Sequence, residues 1–158
     1  ADIAEIAVKK DGMTLRYVPG SLNHDGTRRS VPPIPEYTKL AMHAVKNDAY
    51  ALQLVPGTLT LQQEAPVADP VPGYKEIAKA AVTTYPYIIQ WVPGVLDVHA
   101  YGVELRTRTP TRGVTDDDFV EIAQAAIKAL DNRGGNVQRM LLNFIPPHLH
   151  AKVRTVLQ

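Results

Sequence analysis

Histidine side chains are the first candidates for metal or acid–base chemistry in this sequence, and two of them, His148 and His150, are separated by one residue. On a helix, side chains at i and i+2 point about 200° apart, so this pair shares a metal ion only if the segment is extended. No third ligand accompanies the pair in the sequence. We therefore predict no metal site here, and a solvated pair of histidines.

Three consecutive carboxylates, Asp116–Asp118, have the ligand type that divalent cations prefer. A helix start explains them equally well, because the preceding Thr115 is a good N-cap and the helix dipole favours acidic residues in the first turn. We therefore predict a capped helix at this point. An enzyme whose site is assembled from linker residues such as His99, Arg112 and Asp116 stays an alternative, although no motif defines a reaction for it.

Arginines concentrate in two stretches between the apolar segments: Arg28 and Arg29, and Arg106, Arg108 and Arg112. Guanidinium groups bind phosphate, which makes nucleic-acid binding an alternative function. The formal net charge is only +1, from 17 Lys and Arg against 16 Asp and Glu, so the whole molecule has no strong attraction to a polyanion. We interpret these arginines as solvated linker residues that are candidate contacts to a partner.

The elements that position these residues come from an internal repeat. Residues 3–22 align without a gap with residues 40–59, with 10 identities in 20 positions. Residues 37–59 align with residues 74–96 at the same spacing of 37 residues, with 10 identities in 23. A divergent fourth copy covers residues 119–149 and carries an eight-residue insertion. The sequence therefore predicts one repeat domain that spans the whole chain, 1–158, with linkers at 23–36, 60–73 and 97–118.

The first half of each copy has the apolar spacing of an amphipathic helix. In the second copy the apolar residues fall at i, i+3, i+4, i+7 and i+8, namely Tyr37, Leu40, Ala41, Ala44 and Val45. Alanines recur at the equivalent positions of the third and fourth copies, where small side chains let helices approach closely. We predict that the helices of successive copies stack on one another.

The second half of each copy is ambiguous, because Tyr50–Val55 alternates like a strand but also suits a short helix. Proline ends this element in all four copies, and glycine follows it in the first three, which indicates a turn. We favour a mainly α fold of tandem helical repeats with proline-rich linkers. The alternative is an α+β repeat of a helix plus a short hairpin, and residues 98–109 of the last linker also suit a small strand or hairpin.

At some positions of the repeat the residue type differs between copies, and two such sets are candidates for contacts or for the core. His43 lies beside the apolar stripe of its helix where the other copies have Ile6 and Ala80, so it is either a partly exposed polar residue or a contact to a partner. Aromatic side chains fill positions of the second half that hold Met, Leu or Phe in other copies, and we predict that they belong to the core: Tyr17, Tyr50, Tyr87 and Trp91.

The strings AVKKDGMTLRYVPGSL and AVKNDAYALQLVPGTL resemble the DUF4116 family of short repeats of unknown function. The resemblance implies helical repeats in tandem, as they occur in bacterial, viral and other microbial proteins, and so favours helix in the second half. It covers the first three copies and fades in the fourth, and the period of 37 is longer than the family leads us to expect. It implies a scaffold and supplies no catalytic residues.

The composition narrows the class of function further. Cysteine is absent, which excludes disulfides, thiolate metal sites and cysteine nucleophiles and fits a reducing compartment. No apolar run approaches the roughly 20 residues that span a bilayer. We therefore expect a non-catalytic repeat scaffold that binds or positions another protein and needs no cofactor. Its expected role is that of a microbial or phage adaptor or assembly component, in the cytoplasm or a virion. A structural component of a phage or virion is a further alternative.

Overall fold

A computed structural model of the chain describes residues 2–22, 32–59, 69–93, 95, 114–130 and 141–154. These residues are mainly helical and include no strand, so the predicted mainly α class is confirmed. The weak strand pattern at 98–109 lies outside the described residues.

Four α-helices make up the frame: α1 (Asp2–Lys10), α2 (Tyr37–Asn47), α3 (Tyr74–Thr84) and α4 (Asp116–Ala129). A 3₁₀ helix follows each of the first three: η1 (Gly12–Tyr17), η2 (Ala49–Leu54) and η3 (Pro86–Trp91). A short 3₁₀ turn and a short helix complete the described elements: η4 (Pro147–Leu149) and α5 (His150–Arg154). The second half of the first three copies is therefore helical as predicted, and the hairpin alternative is wrong for them.

The α-helices bury the apolar stripe that the sequence predicts. In α2 the buried residues are the five predicted ones, and in α3 they fall at the same five positions: Tyr74, Ile77, Ala78, Ala81 and Val82. Fully burying one large aliphatic side chain stabilises the fold by about 1.5 to 3 kcal/mol relative to leaving it exposed. This stripe therefore determines which face of each helix turns inward.

The helices stack in chain order, with α1 against α2, α2 against α3, and α3 against α4. The alanines of α2 and α3 and their counterparts in α4, Ala123 and Ala126, are fully buried, as predicted for closely approaching helices. Each of η1, η2 and η3 packs both against its own α-helix and against the next one. The 3₁₀ helices therefore tie successive helices together.

One extended residue separates each α-helix from the 3₁₀ helix that follows it. Asp11, Asp48 and Tyr85 hold this position with φ between −145° and −143°. The carboxylates of Asp11 and Asp48 accept hydrogen bonds from the backbone N–H groups of Met13 and Tyr50, at 3.0 and 2.9 Å. These side chains cap the 3₁₀ helices, because they satisfy donors that have no partner inside the helix.

The predicted turn after each 3₁₀ helix is confirmed at Gly20 and Gly57, whose φ angles are +107° and +106°. A side chain at Gly57 would meet the linker proline Pro70, whose Cα lies 2.7 Å from the position of an added Cβ. Glycine is required here both by the left-handed backbone and by the close approach of the linker. The linker therefore returns across the turn that precedes it.

A buried hydroxyl pair joins successive units. The Ser21 hydroxyl donates to the Leu15 carbonyl at 2.6 Å and lies 3.1 Å from the Tyr37 hydroxyl. Thr58 Oγ1 likewise lies 3.0 Å from the hydroxyl of Tyr74, and burial raises the pKa of Tyr74 above its usual range. The hydrogen bonds compensate for removing these hydroxyl groups from water.

We call these contacts the first junction (Ser21 with Tyr37) and the second junction (Thr58 with Tyr74). The third junction, between Val95 and Phe119, lacks both hydroxyl groups. Val95 stands at the position of Thr58, Phe119 stands at the position of Tyr74, and both are buried. Replacing both partners of a buried hydrogen bond by apolar groups is close to neutral, whereas removing one leaves an unsatisfied group. The third junction is therefore a natural example of replacing both hydroxyl residues by apolar ones.

This comparison predicts a double-mutant cycle at the second junction. We expect Thr58→Val to lower the free energy of unfolding by about 1 to 2 kcal/mol, since it leaves the buried Tyr74 hydroxyl without this bond. Tyr74→Phe should cost less, about 1 kcal/mol, because the Thr58 hydroxyl still donates to the Leu52 carbonyl at 2.9 Å. The double variant should cost clearly less than the sum of the two single changes. Urea unfolding followed by circular dichroism measures all four proteins, and strictly additive losses would contradict the prediction.

The prediction that four aromatic residues belong to the core is only partly confirmed. Trp91 is buried, with 4% of its surface exposed, and Tyr87 is partly buried. The prediction is wrong for Tyr17 and Tyr50, which are 70% and 46% exposed. Positions that align in the sequence are not equally covered, because burial depends on which helix packs over each one.

Candidate interaction surface

Four aromatic side chains come together where η2 and η3 meet, and we call them the aromatic patch: Tyr50, Tyr85, Tyr87 and Trp91. The rings of Tyr50 and Tyr85 stack at a centroid distance of 5.8 Å, and Tyr85 meets Tyr87 edge-on at 5.7 Å. Tyr50 also lies against Trp91 at 5.5 Å. These distances fall in the range of attractive ring pairs.

The local fold places the patch at the surface. Tyr50 is the second residue of η2, Tyr87 and Trp91 lie on η3, and Tyr85 is the extended residue that precedes η3. Tyr50 and Tyr85 are among the exposed large hydrophobic residues of the described chain. The patch therefore presents two tyrosine rings to solvent above a buried tryptophan.

Tyr85 departs from the pattern of the other units, in which an aspartate caps the 3₁₀ helix. It makes no capping hydrogen bond, and Pro86 follows at the first position of η3. Proline has no backbone N–H and so leaves one donor fewer to satisfy. An exposed aromatic ring thus stands where the other two units have a structural carboxylate, and nothing in the helix geometry requires it.

The indole of Trp91 is unusual for a buried tryptophan. Its Nε1 atom is inaccessible to solvent and has no hydrogen-bond partner in the described part of the chain. An unsatisfied buried donor costs about 1 to 3 kcal/mol. Leu54 fills the equivalent position of the second unit without a polar atom, so an apolar residue would serve the local packing better.

The side chain of Tyr17 lies apart from the patch. It makes none of the ring contacts described above, and the guanidinium carbon of Arg16 lies 4.9 Å from the centre of its ring. Arg16 Nε is buried without a partner among the described residues. This pair is a local cation–π contact on η1.

His43 lies in an ion-pair network on the outer faces of α1 and α2. Its Nε2 atom is 3.5 Å from Glu5 Oε1, and Glu5 also meets Lys9 Nζ at 2.8 Å and Lys39 Nζ at 3.2 Å. Hydrogen bonds from Lys9 and then Lys39 lower the pKa of Glu5 to about 2. His43 is partly exposed, as one of the two interpretations of the sequence predicts, and its role as a partner contact stays a prediction.

A second network joins α3 to α4. Lys75 Nζ lies 3.1 Å from Glu121 Oε2 and 3.9 Å from Asp118 Oδ1, and the hydrogen bond to Glu121 is the main reason that the pKa of Lys75 is raised. Lys79 also approaches Glu121, at 3.8 Å. Exposed pairs of this kind stabilise a protein by at most about 1 kcal/mol. They align neighbouring helices and bring no reactive group together.

The predicted helix cap before α4 is confirmed. The Asp118 N–H donates to Thr115 Oγ1 at 3.1 Å, and the Thr115 N–H donates to Asp118 Oδ2 at 3.4 Å, which is a capping box. Asp116 has His148 as a neighbour, with His148 Nε2 at 3.6 Å. In the described ranges no three His, Asp or Glu side chains are grouped as metal ligands.

The predicted pair of solvated histidines is correct for only one member. The His148 side chain is exposed, but His150 is partly buried and its Nε2 atom lies 2.8 Å from the Ile145 carbonyl and 3.2 Å from that of Leu142. The ring is held by backbone carbonyls because the chain before α5 folds around it. His150 therefore has a structural role here.

The remaining candidate residues are not among those that the structure describes. The arginines predicted as partner contacts all lie in undescribed linkers: Arg28, Arg29, Arg106, Arg108 and Arg112. His99 also lies outside the described residues, so Asp116 is the one described member of the linker site considered for an enzyme. These assignments stay predictions.

Comparisons of the chain with protein-family models, with curated proteins and with solved structures found no match. The resemblance to DUF4116 repeats therefore stays a prediction. Among the helices that the structure describes, none combines the length and the apolar character needed to cross a membrane.

Proposed function

We propose that the chain is a tandem array of 37-residue helical repeats of the DUF4116 kind. We further propose that it is a non-catalytic scaffold that binds or positions another protein through the aromatic patch. The observation that carries the second proposal is the stack of exposed tyrosine rings over the buried Trp91. In this proposal the chain acts as an adaptor or assembly component in the cytoplasm or a virion.

The bounds of the elements support the repeat. The 3₁₀ helices begin at residues 12, 49 and 86, and α2 and α3 begin at residues 37 and 74, so each step is 37 residues. The hydroxyl pairs of Ser21 with Tyr37 and of Thr58 with Tyr74 are separated by the same interval. One structural unit repeated along the chain accounts for all of these spacings.

The chemistry of the patch favours a protein partner. Tyrosine and tryptophan supply large, rigid contact areas, and these residue types dominate the binding energy of protein interfaces. The formal net charge of the chain is only +1, which gives no strong attraction to a polyanion. A nucleic-acid surface needs unpaired basic groups beside its aromatic rings. Nucleic-acid binding is therefore the weaker proposal, and the experiment below separates the two.

The test compares a patch variant with a matched tyrosine variant in affinity capture from an extract of the source cells. Tyr50→Ala combined with Tyr85→Ala removes both exposed rings of the patch. Tyr17→Ala removes a more exposed ring that has no ring contact with the patch. We expect one protein to be retained in a fixed ratio by the wild type and by Tyr17→Ala. The patch variant should bind it about tenfold or more weakly, since interface aromatics carry most of the binding energy.

Circular dichroism of each variant shows whether the helices are intact. Equal retention by the patch variant would contradict the assignment of the surface, and loss in Tyr17→Ala alone would move the site to η1. Retention of nucleic acid that weakens steeply as salt is raised would instead establish a polyanion-binding function.

A further inference from the structure

The 3₁₀ helices η2 and η3 each leave two of their six residues at least partly exposed. These are Tyr50 and Gln53 in η2, and Tyr87 and Gln90 in η3, while the other four residues of each helix are buried. A 3₁₀ helix has three residues per turn, so side chains three positions apart lie in line along one side. Each helix therefore presents one tyrosine and one glutamine on the same side, and we call these four residues the amide ridge.

The amide ridge adjoins the aromatic patch. Helices η2 and η3 pack against each other, and Tyr85 joins their tyrosines, because its ring lies 5.8 Å from that of Tyr50 and 5.7 Å from that of Tyr87. Helix η1 differs, since Thr14 and Tyr17 are also left uncovered there. The two glutamines of the ridge therefore lie on the same two 3₁₀ helices as a group of aromatic rings.

The glutamine amides of the ridge are not used by the fold. Neither Gln53 nor Gln90 makes a hydrogen bond to another residue that the structure describes. Other amide side chains of the chain do have structural roles: Asn47 bonds to two backbone groups, and Gln124 Nε2 donates to the Lys152 carbonyl at 3.1 Å. The amides of Gln53 and Gln90 are therefore available to a ligand.

We propose that an extended segment of the partner protein lies across η2 and η3, with the Gln53 and Gln90 amides hydrogen-bonded to its backbone. This inference rests on the proposed function, in which the aromatic patch binds a protein, and it adds the form in which that protein is bound. A glutamine amide has both donors and an acceptor, and each peptide unit offers the complementary acceptor and donor. Hydrogen bonds to the main chain supply affinity, and the rings beside them contact the side chains of the segment.

The chemistry of the ridge favours an extended segment over the other possible ligands. The backbone groups of a helix or a sheet are already paired, whereas an extended chain has N–H and C=O groups free along its edges. Single-stranded nucleic acid also stacks on aromatic rings, but its phosphates are bound by cations. The polar members of the amide ridge are neutral, so we assign a peptide to it.

The first test uses linear 12-residue peptides, selected from a random phage-displayed library on the full chain. The strongest binder is labelled, and its dissociation constant is measured by fluorescence anisotropy. We expect Gln53→Met combined with Gln90→Met to weaken binding about tenfold, because the side chains keep their length and lose two hydrogen bonds. Lys128→Met introduces the same residue at an exposed position of α4 and should leave the dissociation constant unchanged. Circular dichroism checks that each variant is folded.

The second test identifies backbone recognition directly. Replacing one peptide bond of the bound peptide by an ester removes one N–H donor. We expect a loss of about three- to tenfold at one or two positions of the peptide with the wild-type chain. The same esters should cause no further loss with the Gln53→Met/Gln90→Met variant, because the bonds that they remove are already absent.

Three results would overturn this inference: no peptide selected on the wild type, a dissociation constant that the double glutamine variant leaves unchanged, or ester losses that are equal in both proteins. Binding of a 12-nucleotide oligouridine that depends on Gln53 and Gln90 would also overturn it. Affinity capture separates this inference from the proposed function. A captured protein that is lost with Tyr50→Ala and Tyr85→Ala but kept with the double glutamine variant would contradict the amide ridge alone.

Discussion

Leu52→Ala should lower the free energy of unfolding by about 2 to 5 kcal/mol, the range for a buried large-to-small substitution. Leu52 lies on η2, is fully buried, and belongs to a 3₁₀ helix that packs against both α2 and α3. Its removal leaves a cavity between two units that cannot collapse without moving a helix. The equivalent residues Leu15 and Ile89 are fully buried too, so Ile89→Ala should behave similarly.

Thermal and urea unfolding measure this loss. A change of this size should lower the melting temperature by about 5 to 15 °C for a chain of this length. His148→Ala is the control, because its side chain is exposed and lies 3.6 Å from an equally exposed carboxylate. It should change stability by less than about 0.5 kcal/mol. A Leu52→Ala effect as small as that of the control would mean that the predicted register of the second half is wrong.

Gly12→Ala should destabilise the protein by about 1 to 3 kcal/mol, although a glycine-to-alanine change is often stabilising. Gly12 has no left-handed backbone conformation, and such a site ordinarily gains about 0.4 to 1 kcal/mol from alanine through the unfolded chain. Here an added Cβ would collide with the Ala44 carbonyl oxygen and lie 3.2 Å from Asp48 Cβ. Overpacking against rigid helical backbone forces α2 to shift, and it reverses the sign.

The close approach of η1 to α2 also includes two hydrogen bonds made by the Asn47 side chain. The Gly12 N–H donates to Asn47 Oδ1 at 2.8 Å, and Asn47 Nδ2 donates to the Lys9 carbonyl at 2.9 Å. A shift of α2 would weaken both bonds, which join the end of α1 to the end of α2. The expected loss therefore combines steric strain with two stretched hydrogen bonds.

Ala49→Gly provides the matched comparison for Gly12→Ala. Ala49 holds the equivalent position in the second unit, where it is buried with its methyl group in place. Removing that methyl should also lower stability, by about 1 kcal/mol. Urea unfolding measures the free energy of unfolding of both variants. A Gly12→Ala protein more stable than the wild type would contradict the close approach of η1 to α2.

The helices themselves were predictable from short-range pattern. Residues three and four apart share a helix face, so the apolar stripe from Tyr37 to Val45 is enough to identify α2 and its buried side. Thr115 and Asp118 likewise predict the start of α4, because a capping box depends on residues three apart. The 3₁₀ character of the second half was not predictable, since a six-residue run satisfies both periods.

The aromatic patch could be predicted only in part. Tyr50, Tyr87 and Trp91 are aromatic residues at aligned positions of the sequence, and the prediction that they lie in the core is wrong for Tyr50. Tyr85 was missed, and the available signal was its alignment with Asp11 and Asp48, where an aromatic residue replaces a cap. Its ring contact with Tyr50 joins residues 35 positions apart, and no local pattern contains that distance.

The sequence by itself determined the helical units, their inward-facing residues and the positions of their turns, because these depend on contacts between residues a few positions apart. Only the tertiary structure decided which of these residues stay covered. Ile3 and Leu40 occupy the same repeat position, yet one is exposed and the other is buried. The physical reason is that each helix completes its core with the helices packed against it, so the burial of each residue depends on which helix lies beside it.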